Sequence, residues 1–207
     1  MEKTIIESGF YILLFKNEQD KIKRYEEPVS KEFIQFHFCQ NGSGTFEFNG
    51  GNYQLPLISK NINLLYNPQR DLPIDLNLAP DSAVVSLVIS IKKFHGLFSE
   101  DADHIHFLSP ENNTKKYYDT LPISPAMSVV LSQIMETKVH ESIQALYLKG
   151  KVYELLSLFF NKSEDADTEQ CPFLVDEENV RKIRKAKEII LIKMTEPPTL
   201  QALSTEI

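Results

Sequence analysis

At 207 residues, with 42% hydrophobic and 25% charged side chains, the chain is long enough to bury one good core and a small second unit. Its longest apolar runs, Phe10–Phe15 and Val84–Ile91, fall far short of the roughly 20 residues of a membrane-spanning helix. The start, Met-Glu-Lys-Thr-Ile-Ile-Glu, lacks the basic region and long apolar run of a secretory signal, so a cytoplasmic globular protein without a membrane partner is expected. The net charge of −7 lies before residue 176, because Asp176–Ile207 holds six acidic and six basic residues. That acidic body cannot grip nucleic acid unaided, and DNA contact is expected only from the C-terminal end.

In chain order, the first 95 residues read as short β runs broken by Asn, Gly, Pro and Asp clusters: Gly9–Phe15, Phe33–Gln40, Thr45–Phe48, Asn52–Leu55, Ile62–Tyr66, Ile74–Leu78 and Ala83–Ile91. Their spacing predicts a sandwich or jelly roll. Around Asn41-Gly42-Ser43-Gly44 the alternation of Ile34, Phe36 and Phe38 with Gln35, His37 and Cys39 predicts a hairpin. An odd loop with Gly44 in a left-handed position would pair Phe38 with Phe46 and Phe36 with Phe48. That register sets His37 opposite Glu47 and Gln35 opposite Asn49, a polar face behind an aromatic one.

Beyond residue 120 the period changes to about 3.6. Ser124-Pro125 is an N-cap and N1 pair opening a helix to about Lys138. A second helix, about 141–161, carries so much apolar surface that it must pack on the barrel, on its neighbour or on another copy of the chain. Leu146, Leu155, Leu156 and Phe159 are the expected homodimer contacts. Ser163–Gln170 reads as an acidic linker, Asp176 caps a third helix, and Thr199 opens a fourth after Pro197-Pro198.

No motif carries catalysis. A metal-dependent cupin-type enzyme would need two or three His and a carboxylate converging in the barrel, and only His37 lies in the clear strand region. His104-x-His106 sits in a polar loop, and no hydrolase elbow, P-loop or dinucleotide fingerprint is present. Cys39 and Cys171 have no metal or redox spacing, so no cofactor is expected. The basic run Arg181-Lys182-Ile183-Arg184-Lys185-Ala186-Lys187 suits phosphate contacts, as does any solvated helix.

Its position before Pro197-Pro198-Thr199-Leu200-Gln201-Ala202-Leu203 resembles the opening of the DNA-binding domain of AraC-family transcription regulators. Upstream, Phe36-His37-Phe38-Cys39-Gln40, Leu65–Pro73 and Lys149-Gly150-Lys151-Val152-Tyr153-Glu154-Leu155-Leu156 resemble the sensor region of the pyochelin-regulator-like branch. The resemblance implies an α+β chain: a cupin-like β-barrel (jelly roll) sensing a small, siderophore-like effector, then a helical pair that dimerises, then the first helices of a helix-turn-helix domain. The expected boundaries are 1–120 for the barrel, 121–163 for the helical segment, 164–175 for the linker and 176–207 for a truncated DNA-binding start. Arg181, Lys182 and Lys185 would touch DNA phosphates in an intact protein. The effector is expected to meet Gln35, His37, Glu47, Tyr66 and Arg70, with Arg70 suited to an anion or, more plainly, to an ion pair with Asp71. The rival reading is the metal-dependent cupin enzyme, which would hold a metal through His37 and Glu47 with further ligands that the sequence does not visibly supply; a third, a carbohydrate-binding jelly roll, leaves the terminal basic helix without a role.

Overall fold

The computed structural model describes residues 1–97 and 116–161, together with Lys185, Ile189 and Ala202, each of which is helical. The chain divides into two compact units, Met1–Asn161 and Lys162–Ile207. The barrel and its helices belong to the first.

Among the described residues, ten antiparallel strands build that unit: β1 (Glu2–Glu7), β2 (Phe10–Asn17), β3 (Lys23–Glu27), β4 (Phe33–Asn41), β5 (Ser43–Phe48), β6 (Tyr53–Ile58), β7 (Asn61–Tyr66), β8 (Ile74–Leu78), β9 (Ser82–Ser90) and β10 (Tyr117–Pro122). A six-stranded sheet has the order β1-β2-β9-β4-β7-β10, and a four-stranded sheet the order β3-β8-β5-β6. Helices interrupt or succeed them at α1 (Ile91–His95), α2 (Pro125–Glu136) and α3 (Glu141–Phe160). This is the expected α+β class, a two-sheet cupin-like barrel followed by a helical pair.

The four central strands of the larger sheet, β2, β9, β4 and β7, are buried on both faces. Leu13, Phe15, Cys39, Val84 and Val88 point inward and meet Tyr25, Phe46, Leu57, Leu76 and Leu78 of the smaller sheet. Phe10, Ile12, Phe36, Phe38, Leu64 and Leu87 point outward and are covered by Met127, Leu131, Val152 and Leu155 of α2 and α3. Two covered faces explain why β9 is an almost unbroken apolar run, since alternation is needed only where one face meets water.

The expected β4–β5 hairpin does not form. Phe38 sits between Ile62 of β7 and Val85 of β9, whereas Phe46 sits between Leu55 of β6 and Leu76 of β8. The chain passes from one sheet to the other at Gly42, whose φ is 75°. A Cβ there would lie 2.0 Å from the Ser82 Oγ, and that hydroxyl also accepts from the Ser43 N–H at 2.9 Å. Only glycine fits this crossing. The left-handed position is therefore Gly42 rather than Gly44, and the four phenylalanines divide between two cores instead of sharing a face.

At the first helix of the pair, the Ser124 hydroxyl accepts from the Met127 N–H at 3.2 Å with Pro125 at N1, as the sequence predicts.

Candidate functional site

The barrel interior holds a polar row. Ser86 of β9, His37 of β4 and Asn63 of β7 are register neighbours, and the exposed Thr120 of β10 continues the row at the sheet edge. The His37 Nδ1 lies 2.7 Å from the Ser86 Oγ and its Nε2 lies 3.2 Å from the Gln35 Oε1. Because the Gln35 Nε2 donates to the Leu72 carbonyl at 2.7 Å, its Oε1 is left to accept. The consistent assignment puts the imidazole proton on Nε2, with Nδ1 accepting from the Ser86 hydroxyl. Thr120 donates to the Asn63 Oδ1 at 3.1 Å, and the Asn63 Nδ2 donates to the Pro56 carbonyl at 3.1 Å. His37, Asn63 and Ser86 are wholly buried and Gln35 almost so. Phe46 packs on the imidazole at 4.4 Å between ring centres, and burial pushes the His37 pKa down to about 3. The row is a neutral, satisfied network.

The other expected ligand residues lie elsewhere. Glu47 does not face His37: it is a register neighbour of Gln54 on β6, half-buried, because Phe46 and not Glu47 takes the inward position of β5. Tyr66 is buried in the helix-side core, since Leu65 is the register partner of Gln35 and the next side chain points to the opposite face of the sheet. Arg70 is exposed in the β7–β8 connection, and Asp71 accepts instead from the Lys31 N–H at 2.9 Å. Of the five residues, only Gln35 and His37 touch.

The expected dimer contacts also divide. Leu155 and Leu156 are buried against the barrel, and the Phe159 ring meets Phe36 edge-on at 5.2 Å. The apolar excess of α3 is thus largely spent on the outer face of the larger sheet, which the sequence alone does not reveal as needing cover. Leu146 is 72% exposed, near Ile143 at 50%, and α2 exposes Val129 at 57%. Lys185 is exposed and helical, while Arg181, Lys182, the linker, His104 and His106 lie outside the described residues.

Two features at the seam between barrel and helices have no sequence signal. Glu7 of β1 binds Lys149 at 2.6 Å, Lys93, and the Tyr153 hydroxyl at 3.1 Å, joining an edge strand to α1 and α3. Lys149 and then Lys93 hold this carboxylate well below the usual range, at about 2. A cleft of about 520 Å³ opens where β2 and β3 face the α2–α3 connection, with Lys16, Lys23 and Lys138 around Leu14, Ile134 and Leu148. The Lys16 ammonium donates to the Met135 carbonyl at the end of α2, at 3.2 Å. Beyond that contact lies a smaller cleft of about 270 Å³, lined in part by Gln40, Asp81 and Glu136. The Gln40 Oε1 is buried without a partner among the described residues. Among those residues, too, no group of three or more His, Cys, Asp or Glu is placed to hold a metal, and no helix is long and apolar enough to cross a membrane.

Residues 8–173 match the family described as the regulatory protein PchR N-terminal domain. The chain belongs to this family. It is therefore a regulatory domain of the AraC-type branch that the sequence motifs resemble. Solved structures of ToxT from Vibrio cholerae are similar. An apo K231A form has 12% identity, covers 98% of this chain and 72% of that one, and gives a TM-score of 0.41. A form with bound unsaturated fatty acid has 15% identity, covers 78% and 60%, and gives 0.40. A form bound to (E)-4-(8-methylnaphthalen-1-yl)but-3-enoic acid has 13% identity, covers 96% and 75%, and also gives 0.40. Among curated protein sequences none matches significantly. In this PchR-type domain the motif Phe36-His37-Phe38-Cys39-Gln40 supplies both cores and the buried polar row, and Lys149–Leu156 supplies the helix that covers the barrel.

Proposed function

We propose that this chain is the ligand-sensing and dimerising part of a cytoplasmic, non-enzymatic transcription regulator, in which a small molecule at the barrel alters the helical pair. A DNA-binding domain beginning at about residue 176 would read out that change through the spacing of its two copies. Family membership supports the regulatory role. The observation that carries the sensing mechanism is the seating of α2 and α3 directly on the outer wall of the barrel, with a cleft along the seam. A molecule held there touches both the barrel and the helices, so its binding energy biases their relation.

The test is a thermal-shift survey of the whole chain against ferric and metal-free siderophores and against organic acids. An effector at a hundred times its Kd stabilises by about 2.7 kcal/mol, which raises the midpoint measurably and saturably. A flat response to every class contradicts sensing.

A further inference from the structure

We propose that the cleft between β2, β3 and the α2–α3 connection is a binding site for an organic anion, a carboxylate joined to an apolar or aromatic body. The inference rests on the sensing reading and names the chemistry of its ligand. The cleft is about 520 Å³, within the range of sites that enclose small molecules. Its walls divide by chemistry. Leu14 of β2, Ile134 of α2 and Leu148 of α3 supply apolar surface, with the rings of Tyr25 and Tyr147 beside them. Among the described residues, Lys16 of β2, Lys23 of β3 and Lys138 of the α2–α3 connection set three positive charges there against a single carboxylate, that of Glu2. Such a concentration of lysines runs against the chain's net charge of −7.

Other interactions leave these cations able to meet a ligand. Lys16 donates to a main-chain carbonyl, that of Met135, and Lys23 lies over the Tyr25 ring at 5.1 Å from its centre. Lys138 is exposed in the connection itself. An anion seated among them gains charge-assisted hydrogen bonds from two barrel strands and from the link between α2 and α3. It also competes for the ammonium that now ties Lys16 to the end of α2. Binding would therefore be felt at the helix pair without passing through the closed polar row inside the barrel.

The experiment titrates the whole 207-residue chain with 2-naphthoate, 4-phenylbutyrate and decanoate, each beside its uncharged amide, and repeats the series on Lys23→Gln/Lys138→Gln. Lys138 is exposed and Lys23 only partly buried, and a matched melting midpoint certifies the fold. The expected result is one-to-one binding of at least one acid, about tenfold or more tighter than its amide, with that preference largely lost in the double variant. Equal affinity for acid and amide, undiminished acid binding by the double variant, or no binding by any acid overturns the proposal. Failure of the acids alongside a saturable response to siderophores would sink this site and leave the sensing reading standing. Failure of both would remove both.

Discussion

In the barrel interior, Ser86 gives its hydroxyl proton to His37, His37 gives its Nε2 proton to Gln35, and Gln35 gives an amide proton to the Leu72 carbonyl. Every position in that relay is filled while His37 is neutral, and burial holds its pKa at about 3. The unfolded chain binds this proton near pH 6.5. Stability from His37 is thus complete above about 6.5 and is lost as pH falls toward 3, at up to about 1.4 kcal/mol per pH unit. Glu7, held at about 2 against an ordinary 4.5, loses its contribution only below 4.5. Urea unfolding between pH 6.5 and 4.5 therefore isolates the histidine: wild type should weaken with acid and His37→Leu should show a much smaller slope. Equal slopes would contradict the buried neutral row. The adjacency of Gln35 and His37 was legible from strand alternation, but Ser86, 49 residues away, and Glu7's tie to Tyr153, 146 residues away, carry no local pattern.

Among the elements, seven strands and the two long helices announce themselves through apolar periodicity. The strands β1, β3 and β10 do not, because each is a sheet edge with few inward side chains; in β3 only Tyr25 and Glu27 are buried. Sheet membership was equally hidden. Alternation fixes which residues share a face, but the crossing at Gly42 decides which sheet that face belongs to. Gly42→Ala should cost about 1–3 kcal/mol or more in a denaturant melt, because it combines an unfavourable φ with a clash at Ser82. A neutral result would place the crossing elsewhere. Along α3, burial separates two roles that the sequence merges. Leu155→Ala should destabilise by about 2–5 kcal/mol, whereas Leu146→Glu, at a 72% exposed position, should change the stability of the isolated protomer by only about 0.5 kcal/mol. If the exposed apolar side chains of Leu146, Ile143 and Val129 form the homodimer contact, sedimentation at micromolar concentration will show a wild-type dimer and a Leu146→Glu monomer. A dimer unaffected by Leu146→Glu would move the interface off this face.

For the molecule as a whole, the barrel, its helical cover and the charged seam form one compact unit, and regulation requires that a ligand change how these parts hold together. On the proposed function, the acidic charge of the chain would leave any DNA affinity to the C-terminal region, so residues 1–161 alone should bind duplex DNA no better than nonspecifically in a salt titration. Salt-resistant, sequence-selective binding by that unit would reassign the domains. Whether a small molecule at the seam acts on the helical pair is read most directly by amide hydrogen exchange of the whole chain with and without saturating 2-naphthoate. Exchange should slow at residues 134–148, across the end of α2, the connection and the start of α3, together with strands β2 and β3. Unchanged exchange throughout, or protection confined to β4, β7 and β9 around His37, would refute action at the seam.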